Sequence, residues 1–326
     1  MPQIPDLAPS DAAWTTMRGE LAAARDQDRP PHFESHPPQH WVKVLDRLLD
    51  CGEIEIAAHA MPGFEAYATD LDWPRNMSAL LAILPAAPTG VLPLVDRPHL
   101  DVLPVPVAGS DTVIFAFCGV RHRIGMPTTI FHRLVQQLGC SVVYLRDFRR
   151  AHYLKGVRGL GGDRAETIHA LKTLTADLGA RRVLCVGNSS GGYGALLYGL
   201  ELEAEAVLNF SGPTNLDPEF NRYLNRGESA LALSQELPNE SLDMRARYLA
   251  APKRPRAAMV FGEFAWDDRL HGEHMGGSPG VELISVSDYQ GHSTISELLR
   301  RDQLSQLLED LMNRLTPALD APAPSP

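Results

Sequence analysis

At 326 residues the chain is longer than one typical domain, and its 44% hydrophobic and 21% charged residues are those of an ordinary globular protein, not of a disordered or fibrous one. Lys and Arg number 30 against 40 Asp and Glu, a formal charge of −10, which argues against a surface built to track nucleic-acid phosphates. The opening stretch Met1 to Asp11 is proline-rich with no apolar centre, so it reads as no signal peptide, and no segment is apolar for long enough to span a bilayer. Four scattered cysteines (Cys51, Cys118, Cys140, Cys185) without a CxxC pair fit buried thiols in a reducing compartment, and a cytoplasmic location is expected.

Residues 1–90 read as a helical N-terminal extension. Trp14 to Arg25, His40 to Leu49 and Ile54 to Ala66 carry apolar residues at helical spacing, and Cys51-Gly52-Glu53 breaks the second from the third. Helix, Gly-containing break and small-residue helix resemble a degenerate tetratricopeptide-type hairpin, which would leave the extension open to a protein partner. A proline-rich connector (Pro85, Pro88, Pro93, Pro98, Pro104, Pro106) then leads into residues 91–316, where the pattern changes.

There, short apolar runs alternate with helical stretches. Strands are predicted at Leu100 to Val105, Thr112 to Phe117, Ser141 to Leu145, Arg182 to Val186, Ala206 to Phe210, Ala257 to Phe261 and Val281 to Val286. Helices are predicted at Thr128 to Leu138, Asp163 to Leu178, Ser190 to Leu202, Asp268 to Met275 and Thr294 to Leu315. Continuous apolar strands joined by helices imply a mostly parallel sheet covered on both faces, an α/β fold. The densest basic stretch, Arg146 to Arg158, reads as a solvated loop or a local anion contact. Residues 211–256 break the rhythm with polar, proline-punctuated pieces and read as a small helical lid, in which Leu216, Phe220, Tyr223, Leu224 and Leu231 follow helical spacing. Residues 317–326 form a Pro-rich tail, expected to be disordered.

The sharpest signal is Gly187-Asn188-Ser189-Ser190-Gly191, G-x-S-x-G between an apolar strand and a small-residue helix. A nucleophilic serine needs that tight strand-to-helix turn, and glycines two residues either side remove the Cβ atoms that would block it. The spacing makes Ser189 the candidate nucleophile and leaves Ser190 to donate its backbone N–H to an oxyanion. The motif requires an acid and a histidine later in the chain. His292 lies between the last strand and the last helix, and the loop after the sixth strand offers Asp268 first, Asp267 second and Glu263 a distant third. A second oxyanion donor is expected from Gly119 or Val120, after the second strand, with the choice open. His271 and His274 lie near acids but lack a metal-ligand spacing such as HExxH, so neither a metal nor a cofactor is expected.

Together, Gly187 to Gly191, the Asp267/Asp268 loop and Gly291-His292 resemble the α/β-hydrolase superfamily over residues 95 to 316. Tyr144-Leu-Arg-Asp-Phe148 with Tyr153-Leu-Lys-Gly is similar to a bacterial subgroup that sometimes carries helical repeats N-terminally. Cys118-Gly119 stands where esterases usually carry His-Gly. The resemblance implies a serine esterase or thioesterase: His292 deprotonates Ser189, which attacks a small-molecule acyl ester or thioester, and water releases the acid. Two rival readings are an acyltransferase using the same residues on a sugar or amine acceptor, and a non-catalytic interaction module.

Overall fold

A computed structural model of the chain describes residues 11–87, 93–224 and 227–313, and these divide into two compact units. Residues 1–10, the Pro88 region of the connector, Leu315 and the expected tail 317–326 lie outside the described residues.

One unit, within Met1–Arg97 and Met126–Gln137, is helical: α1 (Asp11–Asp26), α2 (Pro38–Asp50), α3 (Ile54–Tyr67), α4 (Asp72–Ala82) and α5 (Thr128–Val135). Its core forms around Trp41, which is fully buried, donates its indole N–H to the Phe33 carbonyl at 2.8 Å, and meets the Phe33 ring edge-on at 5.1 Å. The sequence reading passes over α4, whose Pro74 looks like a breaker. The proline stands in the first helical turn, where a missing N–H costs no helical hydrogen bond. Grouping also falls differently from a single cut near residue 90. Helix α5 goes with the N-terminal helices, because Thr129 Oγ1 donates to the Leu49 carbonyl at 2.6 Å and Arg133 pairs with Glu55 at 2.9 Å.

The second unit, Pro98–Gly125 with the residues from Leu138 onward, holds a seven-stranded sheet. Its strands are β1 (Val102–Val105), β2 (Thr112–Phe117), β3 (Ser141–Leu145), β4 (Arg182–Asn188), β5 (Ala206–Phe210), β6 (Arg256–Gly262) and β7 (Val281–Val286), in the order β1-β3-β2-β4-β5-β6-β7. β1 runs antiparallel to β3 and every other pairing is parallel. The central strands β2, β3 and β5 are buried along their whole length, which is why they read as unbroken apolar runs. Alternate residues of β2 (Val113, Phe115, Phe117) face one core with Tyr193, Leu196 and Leu197 of α7 (Ser190–Glu201) and Leu171 of α6 (Arg164–Asp177). Register brings the C-terminal strand ends level: Phe117 lies beside Leu145 and Gly187, Asn188 beside Phe210, and Gly262 beside Val286. Loops leaving those ends therefore share one edge, where α/β sheets place their sites. This is the α/β-hydrolase fold, with its parallel sheet and strand-to-helix turn after β4.

Three expectations need correction. The final helix is two, α11 (Thr294–Arg300) and α12 (Leu304–Asn313), parted at Asp302, whose φ of 56° cannot continue a helix. Within the insertion, residues 215–224 form turns and no helix. Asn215 and Asp217 side chains accept the N–H groups of Asp217 and Glu219, so local side-chain bonds and Pro218 compete successfully with a helix. The insertion's helices are α8 (Gly227–Glu236) and α9 (Met244–Ala250), and Leu216, Leu233, Leu242, Met244 and Tyr248 join the same buried cluster as Tyr193. Leu224 is also buried, whereas Tyr223 and Leu231 are exposed. Finally, Arg146 to Arg158 is no solvated loop: Arg146, Tyr153 and Val157 are fully buried. No helix among the described residues is long and apolar enough to cross a membrane.

Candidate active site

Strand β4 runs through Gly187-Asn188 into Ser189, and α7 starts at the next residue. Ser189 sits at φ 55°, ψ −127°, a backbone region that residues with a Cβ rarely occupy. Only glycine tolerates the neighbouring crossings. A Cβ on Gly187 would lie 2.1 Å from the Gly191 carbonyl oxygen, and one on Gly191 would lie 2.0 Å from that of Phe117. Ser189→Gly is therefore expected to raise the urea unfolding midpoint, by about 1 kcal/mol of relieved strain. A lower midpoint would mean the serine is at ease in this turn.

The imidazole of His292 meets the hydroxyl of Ser189 with Nε2 at 2.8 Å and the carboxylate of Asp268 with Nδ1 at 2.8 and 3.0 Å. A carboxylate only accepts, so Nδ1 carries the proton and Nε2 is left to accept from the Ser189 hydroxyl. Asp268 is almost wholly buried, its side chain 4% exposed, while that of His292 is 45% exposed. Asp268 lies in the first turn of α10 (Trp266–His274), a helix that starts two residues before the Asp268 start expected from the sequence. Asp267, one step around that helix, makes no bond to His292.

The loops carrying acid and imidazole are tied together. Glu263 donates its N–H to the Val286 carbonyl at 3.0 Å, Phe264 donates to that of Tyr289 at 2.9 Å, and the Glu263 carboxylate accepts the N–H of Asp288 at 2.9 Å. Glu263, the third candidate acid from sequence, thus braces the loop leading to His292.

Two of the backbone N–H groups beside the elbow enter no backbone hydrogen bond among the described residues. One belongs to Ser190, at the N-terminus of α7, where the helix dipole adds a partial positive charge. The other belongs to Val120. Gly119 is close enough to the elbow that a Cβ there would lie 3.4 Å from that of Ser189. Its own N–H, however, donates to the Arg123 carbonyl at 2.9 Å, whereas the N–H of Val120 enters no backbone bond among the described residues. The sequence left this choice open, since it turns on where one peptide plane points.

The side chains that sequence reasoning missed stand behind this turn. The Arg146 guanidinium donates from Nε to the His122 carbonyl at 2.8 Å and from Nη1 to that of Leu100 at 3.0 Å. The Tyr153 hydroxyl shares its one proton between the Cys118 and Leu145 carbonyls, both at 2.8 Å. His271 and His274 are engaged elsewhere. Thr214 N–H donates to His271 Nδ1 at 3.3 Å, and His274 Nε2 lies 2.9 Å from Asp243, which caps α9. Among the described residues no group of three or more His, Cys, Asp or Glu side chains is arranged to hold a metal.

Sheet order and elbow together are those of the α/β-hydrolase fold. The chain matches no protein-family profile and no curated protein. Among solved structures it is similar to a thermophilic esterase from the Planctomycetes species Thermogutta terrifontis (16% identity, 66% of this chain and 89% of that one, TM-score 0.46). It is also similar to an α/β-superfamily hydrolase from Oenococcus oeni (13%, 66% and 96%, TM-score 0.44) and an S-formylglutathione hydrolase from Agrobacterium tumefaciens (17%, 64% and 89%, TM-score 0.41).

Proposed function

We propose that the protein is a serine hydrolase that cleaves a carboxylic ester or thioester through an acyl-enzyme on Ser189. One observation carries the reading: the unbroken relay from the Ser189 hydroxyl through His292 to the buried Asp268. His292 Nε2 takes the proton as Ser189 Oγ attacks the acyl carbon, and Asp268 stabilises the imidazolium and fixes its tautomer. Charge developing on the carbonyl oxygen is held by the N–H groups of Ser190 and Val120, aided by the α7 N-terminus. The imidazolium then protonates the leaving alcohol or thiol. Water, deprotonated in turn by His292, attacks the acyl carbon and frees Ser189 with release of the acid. The half-exposed imidazole gives water a path to the acyl-enzyme, which favours hydrolysis over transfer to a sugar or amine.

The test is a fluorophosphonate probe on the purified protein together with p-nitrophenyl acetate turnover. Covalent labelling at Ser189 with turnover supports the reading, and a folded protein that shows neither defeats it. The oxyanion assignment has its own test, because Val120 is the second residue of the Gly119–His122 turn, a position where proline is well accommodated. Val120→Pro keeps the turn and deletes one N–H, and is expected to lower kcat by about 10²- to 10³-fold with little change in KM. Wild-type kcat in that variant would assign the second donor elsewhere.

A further inference from the structure

We propose that Arg146 and Tyr153 are positioning residues that aim the Val120 N–H at the oxyanion by gripping the carbonyls on either side of its turn. This rests on the acyl-enzyme reading above and assigns a role to the Tyr144–Phe148 and Tyr153 motifs, which the hydrolytic relay itself does not use.

Peptide planarity makes the argument. In a trans peptide the C=O and the following N–H point in opposite directions. The Cys118 carbonyl is held by the Tyr153 hydroxyl, so the Gly119 N–H faces the other way, onto Arg123. The Gly119 carbonyl accepts the His122 N–H at 2.8 Å inside the turn, so the Val120 N–H must point out of it. Next, the His122 carbonyl is held by Arg146 Nε at 2.8 Å. His122 has a φ of 60°, unfavourable for a residue with a Cβ, so the turn needs an external anchor to keep that shape. Without the two donors the 118–119 or 122–123 peptides could flip and turn a carbonyl toward the oxyanion.

The grip is itself rigid. Arg146 is fully buried and holds two backbone carbonyls at once, that of His122 from Nε and that of Leu100 from Nη1. Asp147 accepts the N–H groups of Arg149, Ala151 and Tyr153 at 3.0, 2.7 and 2.9 Å, which fixes a run where Arg150, His152 and Tyr153 all have positive φ. The Tyr153 ring packs edge-on against Phe117 at 5.1 Å, the last residue of β2 before the turn. Burial raises the Tyr153 phenol well above its ordinary value, so the hydroxyl stays a donor at any working pH.

Tyr153→Phe keeps the ring and removes the donor. The expected result is a fall in kcat of about 10- to 100-fold with KM for p-nitrophenyl acetate little changed. Affinity for a trifluoromethyl ketone, whose adduct carries the oxyanion, should fall by the same factor. In the Val120→Pro background, Tyr153→Phe should cost nothing further, since the N–H it aims is gone. Arg146→Lys, which cannot reach both carbonyls in the same geometry, gives the same readouts should Tyr153→Phe not fold. A folded Tyr153→Phe with wild-type kcat overturns the proposal. So does a loss that persists undiminished in the Val120→Pro background, because the tyrosine would then act through something other than that amide. Turnover that survives Ser189→Ala would instead overturn the acyl-enzyme reading beneath it.

Discussion

Ser189→Ala should abolish fluorophosphonate labelling and lower p-nitrophenyl acetate turnover by about 10³-fold or more. The size follows from what the hydroxyl supplies: without Oγ no acyl-enzyme forms, and His292, whose Nε2 lies 2.8 Å from that oxygen, has no proton to take. The residual rate would come from the Ser190 and Val120 N–H groups, which still stabilise an oxyanion raised by water. Stability of the variant should be close to wild type, since alanine keeps the Cβ and hence the backbone strain at φ 55°. That separates it from Ser189→Gly, which loses the hydroxyl and the strain together. Labelling that persists in Ser189→Ala and vanishes in Ser190→Ala would put the nucleophile one residue on.

The uneven legibility of the sequence has physical causes. β2, β3 and β5 begin and end where their apolar runs do, because a strand in a parallel sheet must be apolar wherever helices cover it. Chain order foretold that a serine, an acid after β6 and a histidine after β7 would converge, since parallel strands deliver their following loops to one edge. The choice between Asp267 and Asp268 was less open to inspection. It depends on the helical phase of α10, which starts at Trp266, and neighbours along a helix point about 100° apart. Gly119 and Val120 could not be separated at all, as both glycine and valine carry a backbone N–H and only the Arg123 carbonyl tells them apart. Arg146 was misread for a plainer reason. Charge in a loop usually signals solvent, and its burial here depends on carbonyls of Leu100 and His122 that lie 46 and 24 residues away in sequence. The break at Asp302 was hidden because Arg301-Asp302-Gln303 contains neither proline nor glycine to mark it.

Asp268→Asn is expected to lower kcat by about 10³- to 10⁴-fold while leaving the fold intact, far beyond the effect of Asp267→Asn. The carboxylate performs two tasks that an amide of the same shape cannot. A carboxylate can accept from Nδ1 but cannot donate to it, so it forces the tautomer in which Nε2 is a base. An amide can turn its NH₂ toward Nδ1, stabilise the opposite tautomer and leave Nε2 protonated against the Ser189 hydroxyl. The carboxylate also carries the charge that balances the imidazolium formed as Ser189 attacks. With its side chain 4% exposed, that charge is poorly screened and its attraction correspondingly strong. Asp267 has neither task, since its side chain leaves the helix at a different angle and makes no bond to His292. Measuring kcat and KM for both variants on p-nitrophenyl acetate decides the matter. Equal and small losses would mean that His292 is oriented without this loop, and the bracing of Glu263 against Val286 and Asp288 would then serve the sheet edge and not the reaction.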